Sequence, residues 1–230
     1  MQTFTEIDHS LLQLFNGGSS LFLDNLAVTL TNGLTWIPLY LVLFYIVVKN
    51  NETMKQIVLV VACVCICMIL ADGVTDYIVK PAVGRLRPLN DELVRCSLHI
   101  VDGQYDNSFS FFSAHAANTC CVAMFFSLLI RNRQLVMALF GWSAVNCWTR
   151  LYLGFHYPSD VLVGLLWGAA VGVVVYMAYL QLYLKLYPNY NYVSSQYTST
   201  GYNHSDVDVV LVVLLATVLC AVMRALWVFV

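Results

Sequence analysis

A chain of 230 residues that is 60% hydrophobic and only 10% charged lies outside the balance of an ordinary soluble domain, and its solvent is read as a lipid bilayer. A net charge of -2, with no gathered basic surface, excludes a nucleic-acid partner, because phosphate backbones are held by clustered Lys and Arg. Seven of the eight cysteines (Cys63, Cys65, Cys67, Cys120, Cys121, Cys147 and Cys220) lie in apolar blocks, where a thiol acts as a small hydrophobe, and Cys96 stands in a polar loop without a loop partner. Neither a disulfide framework nor a cysteine metal site follows from that distribution. The start of the chain has no basic segment ahead of an apolar run, so it is not read as a cleavable signal peptide, and the first span is expected to target the chain itself.

Residues 4–23 mix acidic and apolar positions, with Leu11, Leu12, Leu14 and Phe15 near helical spacing before Gly17-Gly18, which predicts an interfacial helix. Six spans are predicted, at about 24–48, 57–79, 114–130, 134–149, 161–186 and 209–230, the fourth being short. Each approaches the roughly 20 residues that cross a hydrocarbon layer. A polar stretch at 80–113 is rich in Asp, Gly and Ser, one at 187–208 in Tyr, Ser and Asn, and no internal repeat is evident. The predicted fold is all-α: a polytopic bundle of six transmembrane helices with an N-terminal interfacial helix, as a single membrane-embedded domain over 1–230.

If the spans alternate, Lys49, Lys55, Arg131, Arg133 and Lys185 share one side, while Lys80, Arg85, Arg87, Arg95 and Arg150 share the other. The second group clusters with histidines and prolines in two loops and is read as a phosphate site, so the first group marks the cytoplasmic side. Both chain ends and the 80–113 loop then face outward, and the sequons at Asn51 and Asn203 lie inside, where they are not glycosylated.

Three segments carry chemistry: Lys80-Pro-Ala-Val-Gly-Arg-Leu-Arg87-Pro88, Phe112-Ser113-Ala114-His115, and Thr149-Arg150 through His156-Tyr-Pro-Ser-Asp160. Each stands where a span meets the outer loops, so Lys80, Arg87 and Arg150 are expected to surround one oxyanion with fixed positive charge. Ser113 is placed as the N-cap of the third span, leaving unpaired N–H groups aimed at a bound anion. Pro158 suits the first position of the fifth span, with His156 just before that helix and Asp160 in its first turn. From there Asp160 is expected to accept a proton from one imidazole nitrogen of His156 and free the other to attack phosphorus, with His115 as general acid.

The three segments resemble the K-x6-RP, PSGH and SR-x5-H-x3-D motifs of the type 2 phosphatidic acid phosphatase superfamily, over a core of about 57–186. The resemblance implies phosphohistidine formation on His156, orientation by Asp160, acid catalysis by His115 and phosphate binding by Lys80, Arg87, Ser113, Ala114 and Arg150, with no cofactor and no metal. Phe112, Ala114 and Thr149 replace the motif proline, glycine and serine. The Ala114 methyl narrows the site and restricts the backbone, whereas Thr149 keeps the hydroxyl. The signature is shared with vanadate-dependent haloperoxidases, which lack such a bundle of spans.

Other polar residues receive simpler readings. Taken alone, Lys80 and Arg85 read as interfacial side chains. His9, His99 and His204 are expected to be solvated loop residues, as are Asp102 and Asp106, which lack metal-loop spacing. Asp72 and Asp76 form a polar stripe ending at Lys80 and are expected to pair with Arg or Lys. The expected partner is a lipid phosphate in a bacterial inner membrane, at a site facing the periplasm. Compact size and short loops point first to undecaprenyl diphosphate, then to lipid A, phosphatidic acid or phosphatidylglycerol phosphate. A protein that binds or transports a phosphorylated headgroup without cleaving it is the alternative of another class.

Overall fold

Apolar segments of this length satisfy their backbone polar groups in a bilayer by closing them into helices. The computed structural model describes residues 2–16, 18, 20–101, 103–186 and 195–227. Among these, the long elements are α1 (Gln2–Phe15), α2 (Leu21–Thr31), α3 (Ile37–Asn50), α4 (Met54–Met68), α5 (Ala114–Ile130), α6 (Arg133–Tyr152), α7 (Pro158–Leu186) and α8 (His204–Trp227). Among the described residues four stretches, Gly33–Asn50, Met54–Arg95, α7 and α8, are long and apolar enough to cross a membrane. Side chains such as Leu41, Leu162, Leu166, Leu215 and Met223 stand exposed on them, as a lipid-facing belt requires. The chain is an all-α membrane helix bundle.

The predicted first span is two helices. The chain turns extended at Asn32, passes through a 3-10 turn at Gly33–Trp36 and resumes as α3, whose first turn contains Pro38. Side chains make the break tolerable: Asn32 accepts from the Leu34 N–H, Thr35 Oγ1 donates to the Thr29 carbonyl, and Trp36 Nε1 donates to the Leu30 carbonyl. Carbonyls left open at the end of α2 thereby find donors inside the fold. The second span begins with a capping box between Thr53 and Gln56. From Ile69 to Val79 it widens into a π-helix, then closes with one turn at Lys80–Val83. The fourth span runs longer than predicted, to Tyr152, and the fifth starts three residues earlier, at Pro158. Gly17, residues 187–194 of the Tyr-rich stretch and residues 228–230 of the last predicted span lie outside the described residues.

The most extensive helix pair is α5 with α7. A Cβ on Gly164 would stand 2.6 Å from the Ser113 carbonyl oxygen, one on Gly168 would run into the Ala117 carbonyl, and one on Gly172 would stand 2.9 Å from the Cys121 carbonyl oxygen. The partners rise together along both chains, so the helices run parallel and their main chains touch over two turns. Small residues repeated every four positions permit this approach between membrane helices. At the outer end the Ser113 N–H donates to the Asp160 carbonyl at 3.1 Å, tying the two helix starts together.

Gly168→Ala is expected to destabilise the bundle by about 1–3 kcal/mol, because the clash is with immobile backbone. Gly141→Ala on α6, where nothing lies within 4 Å, is the matched control and should be neutral or stabilising. Thermal unfolding of the two variants in one detergent checks the contrast.

Candidate active site

Because α5 and α7 start side by side, residues at their first turns meet the loop that carries Arg87. His156, just before α7, is 1% exposed. Its Nε2 faces Arg87 Nη1 at 3.2 Å, and its Nδ1 lies 3.4 Å from Ser110 Oγ. A guanidinium only donates, so Nε2 bears the lone pair and Nδ1 the proton. Ser110 Oγ donates in turn to Asp160 Oδ2 at 2.5 Å, and Asp160 Oδ2 also accepts the Tyr157 N–H at 3.1 Å. The direct separation from His156 Nδ1 to Asp160 Oδ2 is 3.9 Å, beyond a hydrogen bond. The expected direct contact is therefore corrected: Ser110 stands between the two. Its signal in the sequence was only a serine between phenylalanines in the 80–113 loop.

Arg87 is 2% exposed and nearly saturated. Its Nε and Nη2 donate to the Ser108 carbonyl and hydroxyl, Nη1 to the Phe155 carbonyl, and Nη2 pairs with Asp106 at 2.7 Å. Asp106 is thus a guanidinium partner and no mere solvated loop residue, while Asp102 lies outside the described residues. Arg150, also buried, donates to Thr31 Oγ1 at 3.0 Å and lies over the Phe155 ring at 4.3 Å. Its Nε is buried with no protein acceptor, an open donor of the kind a bound oxyanion satisfies. Lys80 Nζ pairs with Asp76 at 2.6 Å, whereas Asp72 accepts from the Asn118 amide rather than from the Arg or Lys expected.

Ser113 caps α5, its hydroxyl accepting from the Ala116 N–H, with Ala114 buried beside it and the His115 side chain exposed. Phe112 is buried against Trp167 of α7, an apolar anchor where the motif has proline. Thr149 is also buried and turns its hydroxyl to the Asn146 carbonyl, so it makes a helix contact rather than a site contact.

Two other histidines are less solvated than expected: His99 Nε2 lies 3.1 Å from both Asp24 oxygens and His9 stacks on Tyr157, both half-buried, whereas His204 is exposed and meets Asn132 at the surface. Arg85, interfacial when taken alone but grouped with the cations of the phosphate site, pairs with Asp160 and Asp8, each at 2.6 Å. Among the described residues no group of three or more His, Cys, Asp or Glu side chains is arranged to hold a metal ion.

A family model for the PAP2 superfamily matches residues 56–184, and all three motif segments fall within that range. The chain belongs to the PAP2 superfamily. A lipid A 4'-phosphatase of Bacteroides thetaiotaomicron is 37% identical over 177 residues, 76% of this chain and 78% of that protein. One of Porphyromonas gingivalis is 24% identical, over 78% and 76% of the two chains. The fold is similar to the crystal structure of Aquifex aeolicus LpxE (TM-score 0.53, 21% identity, 72% of this chain and 92% of that one). It is also similar to a PAP2-type phosphatidylglycerolphosphate phosphatase of Bacillus subtilis (TM-score 0.56, 18% identity, 81% and 89%). This PAP2 protein is accordingly a phosphatase held in a membrane helix bundle.

Burial, followed by the charges of Arg87, Arg150, Lys80 and His115, holds His156 well below the ordinary imidazole value of 6.5. The folded chain therefore refuses a proton that the unfolded chain accepts, and stability falls as pH drops below 6.5. His156→Gln should flatten that slope by up to about 1.4 kcal/mol per pH unit. Unfolding midpoints measured from neutral to mildly acid pH test this.

Proposed function

We propose that this PAP2 protein removes a phosphate from a lipid A-type substrate by way of a phosphohistidine on His156, without a metal ion. The observation that carries the reading is the neutral, buried imidazole with its Nε2 lone pair turned toward Arg87 and its Nδ1 proton turned toward Ser110 and Asp160. In the first step Nε2 attacks phosphorus, forming a P–N bond as the P–O bond to the lipid breaks, and His115 protonates the departing oxygen. Water then attacks phosphorus, its proton passing to His115 as the P–N bond breaks and its electron pair returns to His156 Nε2, and inorganic phosphate leaves. Lys80, Arg87, the open Nε of Arg150 and the N–H groups after Ser113, including that of Ala114, stabilise the equatorial oxygens. As the imidazolium charge develops, Ser110 accepts from His156 Nδ1 and donates to Asp160, whose carboxylate stabilises that charge from 3.9 Å.

The relatives bear on the lipid. Both curated relatives cited above are lipid A 4'-phosphatases, which moves the reading from the isoprenoid diphosphate expected first to lipid A. A site at the outer face of the membrane is supported by the basic short loops at Lys49, Lys55, Arg131, Arg133 and Lys185 on the other side, once the cations of the phosphate site are set aside.

Two measurements test the reading. Purified protein offered lipid A, undecaprenyl diphosphate, phosphatidylglycerol phosphate and phosphatidic acid should release phosphate fastest from lipid A, in EDTA as well as without it, and vanadate should inhibit. Loss of turnover in EDTA restored by Mg²⁺ would overturn metal independence. Labelled phosphate should be trapped on the wild type and not on His156→Ala, while His115→Ala should slow intermediate formation by about 10² to 10⁴. Wild-type protein that binds these lipids yet releases no phosphate from any would make it a headgroup-binding protein instead.

A further inference from the structure

The N-terminal helix reaches the active site through one buried carboxylate. α1 turns Asp8 and Leu12 toward the protein, as does Asn16 just after it, all three buried, and leaves Ile7, Leu11, Leu14 and Phe15 exposed on a second stripe. Leu12 packs in an apolar cluster with Cys147, Leu151, Tyr157 and Val161. Asn16 is fastened to the outer loops, donating to the His99 and Tyr152 carbonyls and accepting the His99 N–H. These contacts suffice to dock a short helix, and Asp8 adds a buried charge that docking alone does not require.

Asp8 is spent on the first turn of α7. Its Oδ1 accepts the Ser159 N–H at 2.9 Å, and its Oδ2 accepts from Ser159 Oγ at 2.5 Å and Arg85 Nη2 at 2.6 Å. The other terminal nitrogen of Arg85 donates to Asp160 Oδ1 at 2.6 Å and to Ser159 Oγ at 2.9 Å, with the guanidinium 3.9 Å over the Tyr157 ring. One guanidinium fork therefore bridges two carboxylates, Asp8 on one prong and Asp160 on the other. The second oxygen of Asp160 is the one that receives Ser110 beside His156.

We propose that Asp8 is a positioning residue of the active site, acting through Arg85 on Asp160. By holding the far prong, Asp8 fixes the plane of the guanidinium and takes a share of its charge. Asp160 thereby keeps its orientation and enough negative charge to support the imidazolium that forms on His156. Without the Asp8 charge, Arg85 pairs with Asp160 alone and draws it away from Ser110. The inference rests on the reading of His156 and Asp160 given above.

A double-mutant cycle on the full-length protein, reading phosphate release from lipid A in mixed micelles, tests it. Asp8→Asn should lower kcat about tenfold or more with KM little changed, because the phosphate-binding cations are outside the link. In an Arg85→Gln background the same change should cost nothing further. Asn16→Ala, which unties the other end of α1, should keep the wild-type kcat. A wild-type rate in Asp8→Asn, an equal loss in both backgrounds, or an equal loss in Asn16→Ala would overturn the proposal. If Asp8→Asn does not fold, as judged by its unfolding midpoint, Arg85→Lys reads the same link. A point charge does not hold both carboxylates in the fork geometry, so kcat should fall at constant KM, and an unchanged kcat would overturn the proposal. Wild-type turnover in Asp160→Asn would instead overturn the underlying reading of the site.

Discussion

Main-chain contact between α5 and α7 sets the distances on which the site depends. Three glycines on α7 remove every side chain that would hold the helices apart, and the carbonyls of Ser113, Ala117 and Cys121 occupy the space. The two helix starts are then joined by the hydrogen bond from Ser113 to the Asp160 carbonyl. His115 belongs to one start, His156 and Asp160 to the other, so their relation is fixed by backbone rather than by flexible side chains. Rigid elements hold a catalytic geometry better than loops do, because no rotamer freedom is lost when substrate arrives.

A second constraint is charge burial. Lys80, Arg87 and Arg150 are almost withdrawn from water, and an unpaired buried cation is costly enough to unfold its surroundings. The structure meets this with carboxylates just behind the cations, Asp76 on Lys80 and Asp106 on Arg87, while Arg85 is held between Asp8 and Asp160. An arriving phosphate shares these cations with their carboxylates, and Arg150, through its unmatched Nε, has a donor to spare. Affinity and stability thus draw on the same groups.

What was legible in the sequence was local. The cap at Ser113, the helix start at Pro158 and the motif residues could be placed because each signal spans a few residues whose geometry is known. The break at Asn32 was not legible, since hydropathy runs on across it and the donors that stabilise it come from Thr35 and Trp36 folding back. The π-helical stretch at Ile69–Val79 has no sequence signal of its own. Ser110 and Asp8 were missed, as were the carboxylate partners of Arg85, because these contacts join residues distant in sequence and only the packed bundle brings them to Asp160. The glycines at 164, 168 and 172 were readable as a period of four and mark the close helix pair in retrospect.

The same glycine stripe bears on how such a protein diversifies. Since the spacing of the reacting groups is held by main chain, the surrounding side chains are free to change without disturbing it. α1, the 80–113 loop and the lipid-facing surfaces can be rewritten to admit another headgroup or acyl arrangement while the chemistry stays intact. Divergence should therefore run fast at the mouth and slowly along one seam, and a new substrate range is best sought by varying the mouth while the seam is left alone.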